Sequence, residues 1–485
     1  MHRLFFLHLG RETEMNYRAI AVLIAAGWIT GCTLGPNYHR PAVQIPQNFR
    51  APSPLPAPQA ESFADLKWWE VFKDPDLQQL VKTALQQNYD LRDAVARVEA
   101  ARANLGITRS NQFPQVGASG DLQITRLSRD GQFPLPTSFV PSQNRNWGEA
   151  SLNLLSFEVD LWGRLRRATE AARANLLSAD QNRKVVLTTL VSDVATAYFT
   201  VRELDYELEI SKTTLTTRRD SLNLTIDRQT GGVATDLDLR QAEQLVETAA
   251  ETIPTLQQQM EQTENQISLL LGKNPGEVME HQGAFNEDVF PPEVPAGLPS
   301  ALLARRPDIG AAEQNLRAAN ADIGVAKAAY FPQLSLSGLI GGQSTQLSSL
   351  FSGPHSEWSF VPQLTQPIFT AGRLRSNVRL AEAQRDSALA QYQKTIQTAF
   401  TEVSNALIAH QRVRESRVEQ QALVRALEDR KRLAYARYIG GVDTQLNALD
   451  ADRDLLQAQL DLRQIRLNEL LSVVQLYKAL GGGWN

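Results

Sequence analysis

From Arg373 to Tyr438 the chain contains neither proline nor glycine. Such a run reads as one helix on the order of 100 Å long, at about 1.5 Å per residue. No globular core can bury a helix of that length. It must belong to a coiled coil or to a barrel of helices. Apolar and small residues recur along it in a roughly heptad pattern at Tyr392, Ile396, Ala399, Val403 and Ala406, then less regularly at Val413, Val424 and Leu427. A second run without breakers follows Arg164.

The two runs are copies of one another. Gly163-Arg164-Leu165 and Gly372-Arg373-Leu374 are separated by the same interval as Gly231-Gly232-Val233 and Gly440-Gly441-Val442. A slightly longer interval separates Phe113-Pro114-Gln115 from Phe331-Pro332-Gln333, and Leu105-Gly106 from Ile323-Gly324. The excess falls in a Pro- and Ser-rich loop, LSRDGQFPLPTSFVPSQNRN, whose counterpart QLSSLFSGPHSE is shorter. Each copy predicts the same plan. A helix of about 20 residues ends at Phe-Pro, two short strands follow, and then a very long helix, a Gly-Gly-Val turn and a second long helix. The expected organisation is a leader over 1–31, a linker over 32–62, a first repeat over 63–280 and a second over 281–485.

The strands alternate with period two. Val116, Ala118, Leu122 and Ile124 share one face, and Gln115, Ser119, Asp121, Gln123 and Thr125 the other. Leu334 and Leu336 oppose Ser335 and Ser337 in the same way. In EASLNLLSFEVDLW the parity switches between Leu154 and Leu155, which predicts a bulge. Soluble hairpins packed on helices fit this pattern, and so does a membrane barrel with an apolar exterior and polar interior. Two strands per copy give only four per chain, whereas the smallest closed membrane barrels need about eight. A barrel built from these strands must be shared between chains.

Met15 to Cys32 reads as a secretory leader: Arg18, an apolar stretch from Ala19 to Trp28, then small residues before a cysteine. The apolar stretch is too short to cross a bilayer. Arg11, Glu12 and Glu14 make Met1 to Glu14 an odd amino-terminal region, so Met15 is the expected start. Ile29-Thr30-Gly31-Cys32 resembles a bacterial lipoprotein cleavage site, and acylation of Cys32 would anchor the mature chain. An ordinary leader with a chance cysteine is the alternative. The Pro-rich stretch after it reads as an extended linker. No later run reads as a transmembrane helix.

Little points to chemistry. The net charge is -4, with no basic footprint for nucleic acid. His39, His281, His355 and His410 are scattered without metal-ligand spacing, and neither a phosphate loop nor a nucleophile elbow is present. The expectation is a protein that is not an enzyme and holds no cofactor or metal, apart from a covalent lipid on Cys32.

These features resemble the TolC-like outer-membrane efflux channels, especially their lipoprotein branch. The likeness covers nearly the whole mature chain: CTLGPNYHRP, WWEVFKDPDLQQLVKTALQQN, LLARRPDIGAAEQNLRAANADIGVAKAAYFPQLSLSG and the closing LYKALGGGW. It implies a mainly α fold with membrane β-structure, in which three chains make one twelve-stranded barrel in the outer membrane and a helical tunnel in the periplasm. It also implies a homotrimer, a periplasmic adaptor protein, an inner-membrane pump and passive export of small molecules. Leu446, Asp450 and Arg453 fall where the family narrows its closed aperture. Gln445 stands where an aromatic is common, and Gly440 precedes the usual glycine. The turns Gly231-Gly232-Val233 and Gly440-Gly441-Val442 are the expected adaptor-docking points, the first on the outside and the second at the pore mouth. A channel for type I protein secretion, or a non-conducting envelope coiled coil, are the alternatives. Tyr38 and Phe49 are expected to pin the linker to the barrel, and Trp68 and Trp69 to serve as packing anchors.

Overall fold

The computed structural model describes residues 33–51, 62–126, 128, 143–276 and 299–483. The leader over 1–31, the acylation residue Cys32, His281 and the loop from Phe133 to Phe139 lie outside the described residues. Residues 33–51 are irregular, and a short turn at Phe63–Asp65 precedes α1 (Trp68–Val71), α2 (Pro75–Gln87) and α3 (Tyr89–Ser110). Strands β1 (Val116–Arg126) and β2 (Asn144–Val159) follow, then helices α4 (Arg164–Thr230) and α5 (Asp236–Leu270). The series then recurs as α6 (Pro299–Arg305), α7 (Pro307–Ala328), β3 (Gln333–Ser344), β4 (Ser356–Thr365), α8 (Arg373–Ile439) and α9 (Gln445–Ala479). The copies agree closely in length. Helices α4 and α8 each have 67 residues, and α5 and α9 each have 35.

By packing, the chain divides into two compact units that cut across the repeats. One draws on Met1–Pro41, Glu99–Ser178 and Ala312–Gln391, the other on Ala42–Val98, Ala179–Ala311 and Tyr392–Asn485. Each unit takes a share of both copies.

The first unit holds a four-stranded antiparallel sheet in the order β1-β2-β3-β4. Its register places Leu122 and Ile124 on one face with Leu152, Leu154, Leu336, Ile340, Trp358 and Phe360. Many of these are bare: Ile124 is 73% exposed, Ile340 64% and Trp358 78%. The other face carries Ser119, Asp121, Gln123, Glu149, Ser151, Asn153, Ser335, Ser337 and Gln343. The pairing of β2 with β3 shifts between Leu154 and Phe157, at the expected bulge. The shift returns Phe157 and Val159 to the apolar face, opposite Leu336 and Leu334. Among the described residues, β1 and β4 each pair with one strand only, so two edges stand open. Below the sheet, Ala171 and Ala174 of α4 pack closely on Ala318 and Ala321 of α7.

The second unit is helical. Leu204, Leu208 and Leu215 of α4 bury against Val246, Ala249 and Leu256 of α5. Val424 of α8 does the same against Leu455 and Ala458 of α9. The heptad residues Tyr392, Ile396, Ala399, Val403 and Ala406 are all buried. One window of α4 is apolar enough to cross a membrane by length and composition, contrary to the sequence reading. That window is 56% buried within the chain, as in the core helix of a soluble region. Tyr477 is fully enclosed, edge-on to Phe63 and Phe72, and its hydroxyl donates to the Leu66 carbonyl at 2.8 Å. Burial raises the pKa of this phenol, which keeps it a neutral donor.

Two minor expectations change. Trp68 is buried but Trp69 is 40% exposed, lying edge-on to Trp68 beneath Lys67. Tyr38 and Phe49 contact helices and not the sheet: Tyr38 donates to Glu313 on α7, and Phe49 packs on Phe400 of α8. In the RRPDI motif, Asp308 accepts from the Ile309 amide and pairs with Arg306, which also donates to the last-turn carbonyl of Ala479.

If the apolar face meets lipid, Ile340→Arg should destabilise the folded protein by about 2–4 kcal/mol, the cost of a cation near a bilayer midplane. Gln343→Arg on the opposite face should cost under about 1 kcal/mol. Unfolding titrations in lipid vesicles compare the two, and equal costs would remove the assignment of faces.

Candidate functional site: the hairpin turns and the start of α9

Both long helices end on the same backbone device. At the first turn, the Val233 amide donates to Arg228 O at 2.8 Å and the Gly232 amide to Gln229 O at 2.9 Å. At the second, the Val442 amide donates to Arg437 O and the Gly441 amide to Tyr438 O, each at 3.0 Å. This crossed pair closes a helix on one left-handed residue, which glycine supplies without a Cβ clash. Gly232 and Gly441 take that role, with φ of 74° and 73°. Gly231 and Gly440 have no positive φ and each continues its helix with a bond to the residue four before. Only the second glycine of each pair is therefore required by the reversal.

The flanks differ. Thr235 caps α5 through reciprocal bonds with Asp238. Thr444 makes no side-chain cap, and Asp443 instead accepts from the Thr444 amide, Asn447 and Arg437. The Asn447 amide, with Arg437 and the Thr444 N–H, holds the Asp443 carboxyl below the usual carboxylate range. Val233 (71%), Leu237 (65%), Ile439 (69%) and Val442 (67%) leave both tips apolar and exposed.

The three expected aperture residues lie on the first turns of α9. Leu446 is 46% exposed. Arg453 reaches back to Asp450 at 3.0 Å and also touches Asp454 at 3.1 Å. Asp454 in turn pairs with Arg430 of α8 at 2.6 Å, which lowers its pKa. The structure thus brings Asp450 and Arg453 together, but within a relay of four charged groups and on a largely exposed surface. Such pairs contribute about 0–1 kcal/mol.

A stronger cluster sits behind them. Asp452 is 3% exposed, and its carboxylate meets Arg218 of α4 at 2.9 Å and Lys431 of α8 at 2.5 Å. Arg218, itself 4% exposed, also donates to the Leu245 carbonyl of α5. One carboxylate thereby ties together all four helices of the two hairpins. Gln445, in the position noted as unusual, is buried and donates to Thr225 of α4. Further along, Arg463 of α9 pairs with buried Glu203 of α4 and lies over Tyr206. The sequence held a signal for this cluster. Asp452 interrupts the buried stripe of Ala448, Leu449, Ala451 and Leu455, and a carboxylate in an apolar stripe needs a partner.

Comparison with known proteins follows the same lines. A family model described as "Outer membrane efflux protein" matches residues 80–273 and 298–482. The toluene efflux pump outer membrane protein TtgC of Pseudomonas putida is 39% identical over 479 residues, covering 97% of this chain and 96% of that protein. Outer membrane protein OprJ of Pseudomonas aeruginosa is 35% identical over 470 residues, covering 96% of each. Among solved structures, the open state of the Neisseria gonorrhoeae MtrE outer membrane channel superposes with a TM-score of 0.84 at 32% identity, over 94% of this chain and 99% of that one.

Two outcomes follow for the turns and the cluster. Gly232→Ala and Gly441→Ala should each cost about 1–2 kcal/mol, from a Cβ in the left-handed region, while Gly231→Ala and Gly440→Ala should be near neutral. Hydrogen exchange at the Val233 and Val442 amides reads the difference directly. Asp452→Ala should cost about 3–5 kcal/mol by stranding buried Arg218. Asp450→Ala should cost under about 1 kcal/mol. Denaturant titration of the helical circular dichroism signal ranks them, and the reverse order would refute the reading.

Proposed function

We infer the protein's role from its membership: this chain belongs to the outer membrane efflux protein family, and it is the outer-membrane channel component of an efflux pump. The observation that carries the reading is the open four-stranded sheet, apolar on one face and polar on the other. Backbone groups at a sheet edge cannot stay unpaired in lipid. We propose that β4 of one copy pairs with β1 of the next, so that three copies close a twelve-stranded barrel with the polar face inward. The helices that follow β2 and β4 then line a shared conduit on the periplasmic side. Transport through it is passive, and no step of it needs a chemical reaction.

The partners proposed are a periplasmic adaptor protein and an inner-membrane pump. The adaptor would dock on the exposed apolar tips at Val233 and Val442, and the covalent lipid would sit on Cys32. Small apolar molecules are the cargo class that the name of the toluene-pump relative supports. Leu446, Asp450 and Arg453 would narrow the closed pore. Threefold symmetry would turn Asp450 into a ring of carboxylates whose repulsion Arg453 offsets. An exposed pair of this kind weakens as salt rises, so the closed state should loosen with ionic strength. The buried Asp452 cluster would carry that ring on a rigid support.

Planar-bilayer recording tests the duct and the gate together. The wild-type trimer should conduct, and a silent one would overturn the channel reading in favour of a structural envelope protein. Asp450→Ala and Arg453→Ala should each raise conductance, and unchanged currents in both would remove the lock. Deleting the gene should sensitise the host to apolar toxicants, with loss of protein secretion alone pointing to the type I alternative.

A further inference from the structure

The chain immediately after Cys32 is held by a built site. Thr33 lies against Gly163, where a Cβ would stand 2.9 Å from the Thr33 Cα. The Leu34 amide donates to Trp162 O at 3.1 Å. Arg167 of α4, 4% exposed, donates to Leu34 O at 3.1 Å, to Gly35 O at 3.4 Å and to the Asn37 side-chain oxygen at 2.7 Å. Gly35, with φ of 92°, presses on α7 so closely that a Cβ would fall 2.5 Å from the Gly324 Cα. A Cβ on Gly324 would in turn meet Leu34 O at 2.7 Å. Asn320 of α7 donates to Pro36 O, and Arg40 pairs with Glu313. The strap therefore touches α4 from the first repeat and α7 from the second. It does so beside Trp162, whose indole donates to Pro332 O and packs on Phe331.

The duplication supplies an internal comparison. At the repeat interval, Gly372 stands for Gly163 and Gly106 for Gly324, and a Cβ on either meets nothing within 4 Å. Ser376 stands where the first copy has Arg167. The backbone pattern was copied, but the guanidinium that binds three oxygens of the strap occurs in one copy only.

We propose that the groove between α4 and α7 is a receptor for the chain's own amino-terminal strap, Thr33–Arg40. The docked strap clamps the two repeats together where β2 leads into α4 and α7 into β3. An acyl group on the residue before Thr33 is thereby tethered at this level by covalent continuity. That last point rests on the lipoprotein reading above; the receptor does not.

The test uses the full-length protein with four chains: wild type, Arg167→Ala, Asn37→Ala and Cys32→Ser. Hydrogen exchange is followed on the peptide spanning 33–40, with radiolabelled palmitate incorporation and thermal unfolding alongside. Arg167→Ala and Asn37→Ala should take up label like wild type. Strap exchange should rise by about tenfold or more in Arg167→Ala, which loses several bonds to a charged donor, and less in Asn37→Ala. Both should unfold at lower temperature. Asn37 lies on the strap itself, so its substitution leaves the helices intact even if Arg167→Ala fails to fold. Cys32→Ser should keep the strap protected. Unchanged strap exchange in both docking variants would overturn the receptor. A released strap with unaltered thermal stability would overturn the clamp. Loss of protection in Cys32→Ser would mean that the acyl group holds the strap, and would also overturn the proposal. Failure of the wild type to take up palmitate would sink the lipoprotein reading alone, because strap exchange still reports on the groove.

Discussion

Four strands that expose hydrocarbon on one face and bare backbone at both edges set the terms for everything else in this molecule. Within one copy the edge amides and carbonyls of β1 and β4 have no strand partner among the described residues, and apolar side chains such as Trp358 and Ile124 stand exposed beside them. In lipid, self-association would follow from backbone hydrogen bonding and would not be an addition to a finished fold. Helices α4 and α8 leave the sheet from β2 and β4 after only a few residues. The bulge at Leu154 to Phe157 keeps the strand faces consistent down to the helices.

Duplication supplied the parts, and divergence between the copies supplied the asymmetry. At the repeat interval, Arg218 corresponds to Leu427, Lys431 to Leu222, and Asp452 to Glu243. Glu243 pairs with its own neighbour Arg240, with both side chains at least 38% exposed. Among the described residues the buried cluster therefore occurs once, where α4 meets α9. Arg167 follows the same rule. In both cases a symmetric scaffold of helices acquired one charged group that fixes which surfaces meet.

Much of this was legible in the sequence, for identifiable reasons. Long-range order followed from breaker-free runs and from an exact repeat interval, both of which survive any detail of packing. The heptad residues from Tyr392 to Ala406 proved buried because side-chain spacing on a helix is fixed by its pitch. The parity switch at Leu154 located the bulge because alternation is equally rigid in a strand. What stayed hidden depended on partners far away in the chain. Nothing near Asp452 names Arg218, and nothing near Gly35 names Gly324. The role of the paired glycines was also only half visible, since composition cannot say which of two adjacent residues takes the positive φ. The spacing of Asp450 and Arg453 marks a pair on one helix face, whereas the more deeply buried Asp452 between them finds its partners on α4 and α8.

Each helix end closes on the same two main-chain bonds and the same left-handed glycine. The side chains beside them differ: Thr235 and Asp238 cap one flank, whereas Asp443 with Arg437 and Asn447 holds the other. One backbone solution therefore serves two different sets of flanking side chains. A duplicated cap of this kind separates what a turn must be from what it can display, since the main chain is fixed twice over while the exposed surface is set separately in each copy.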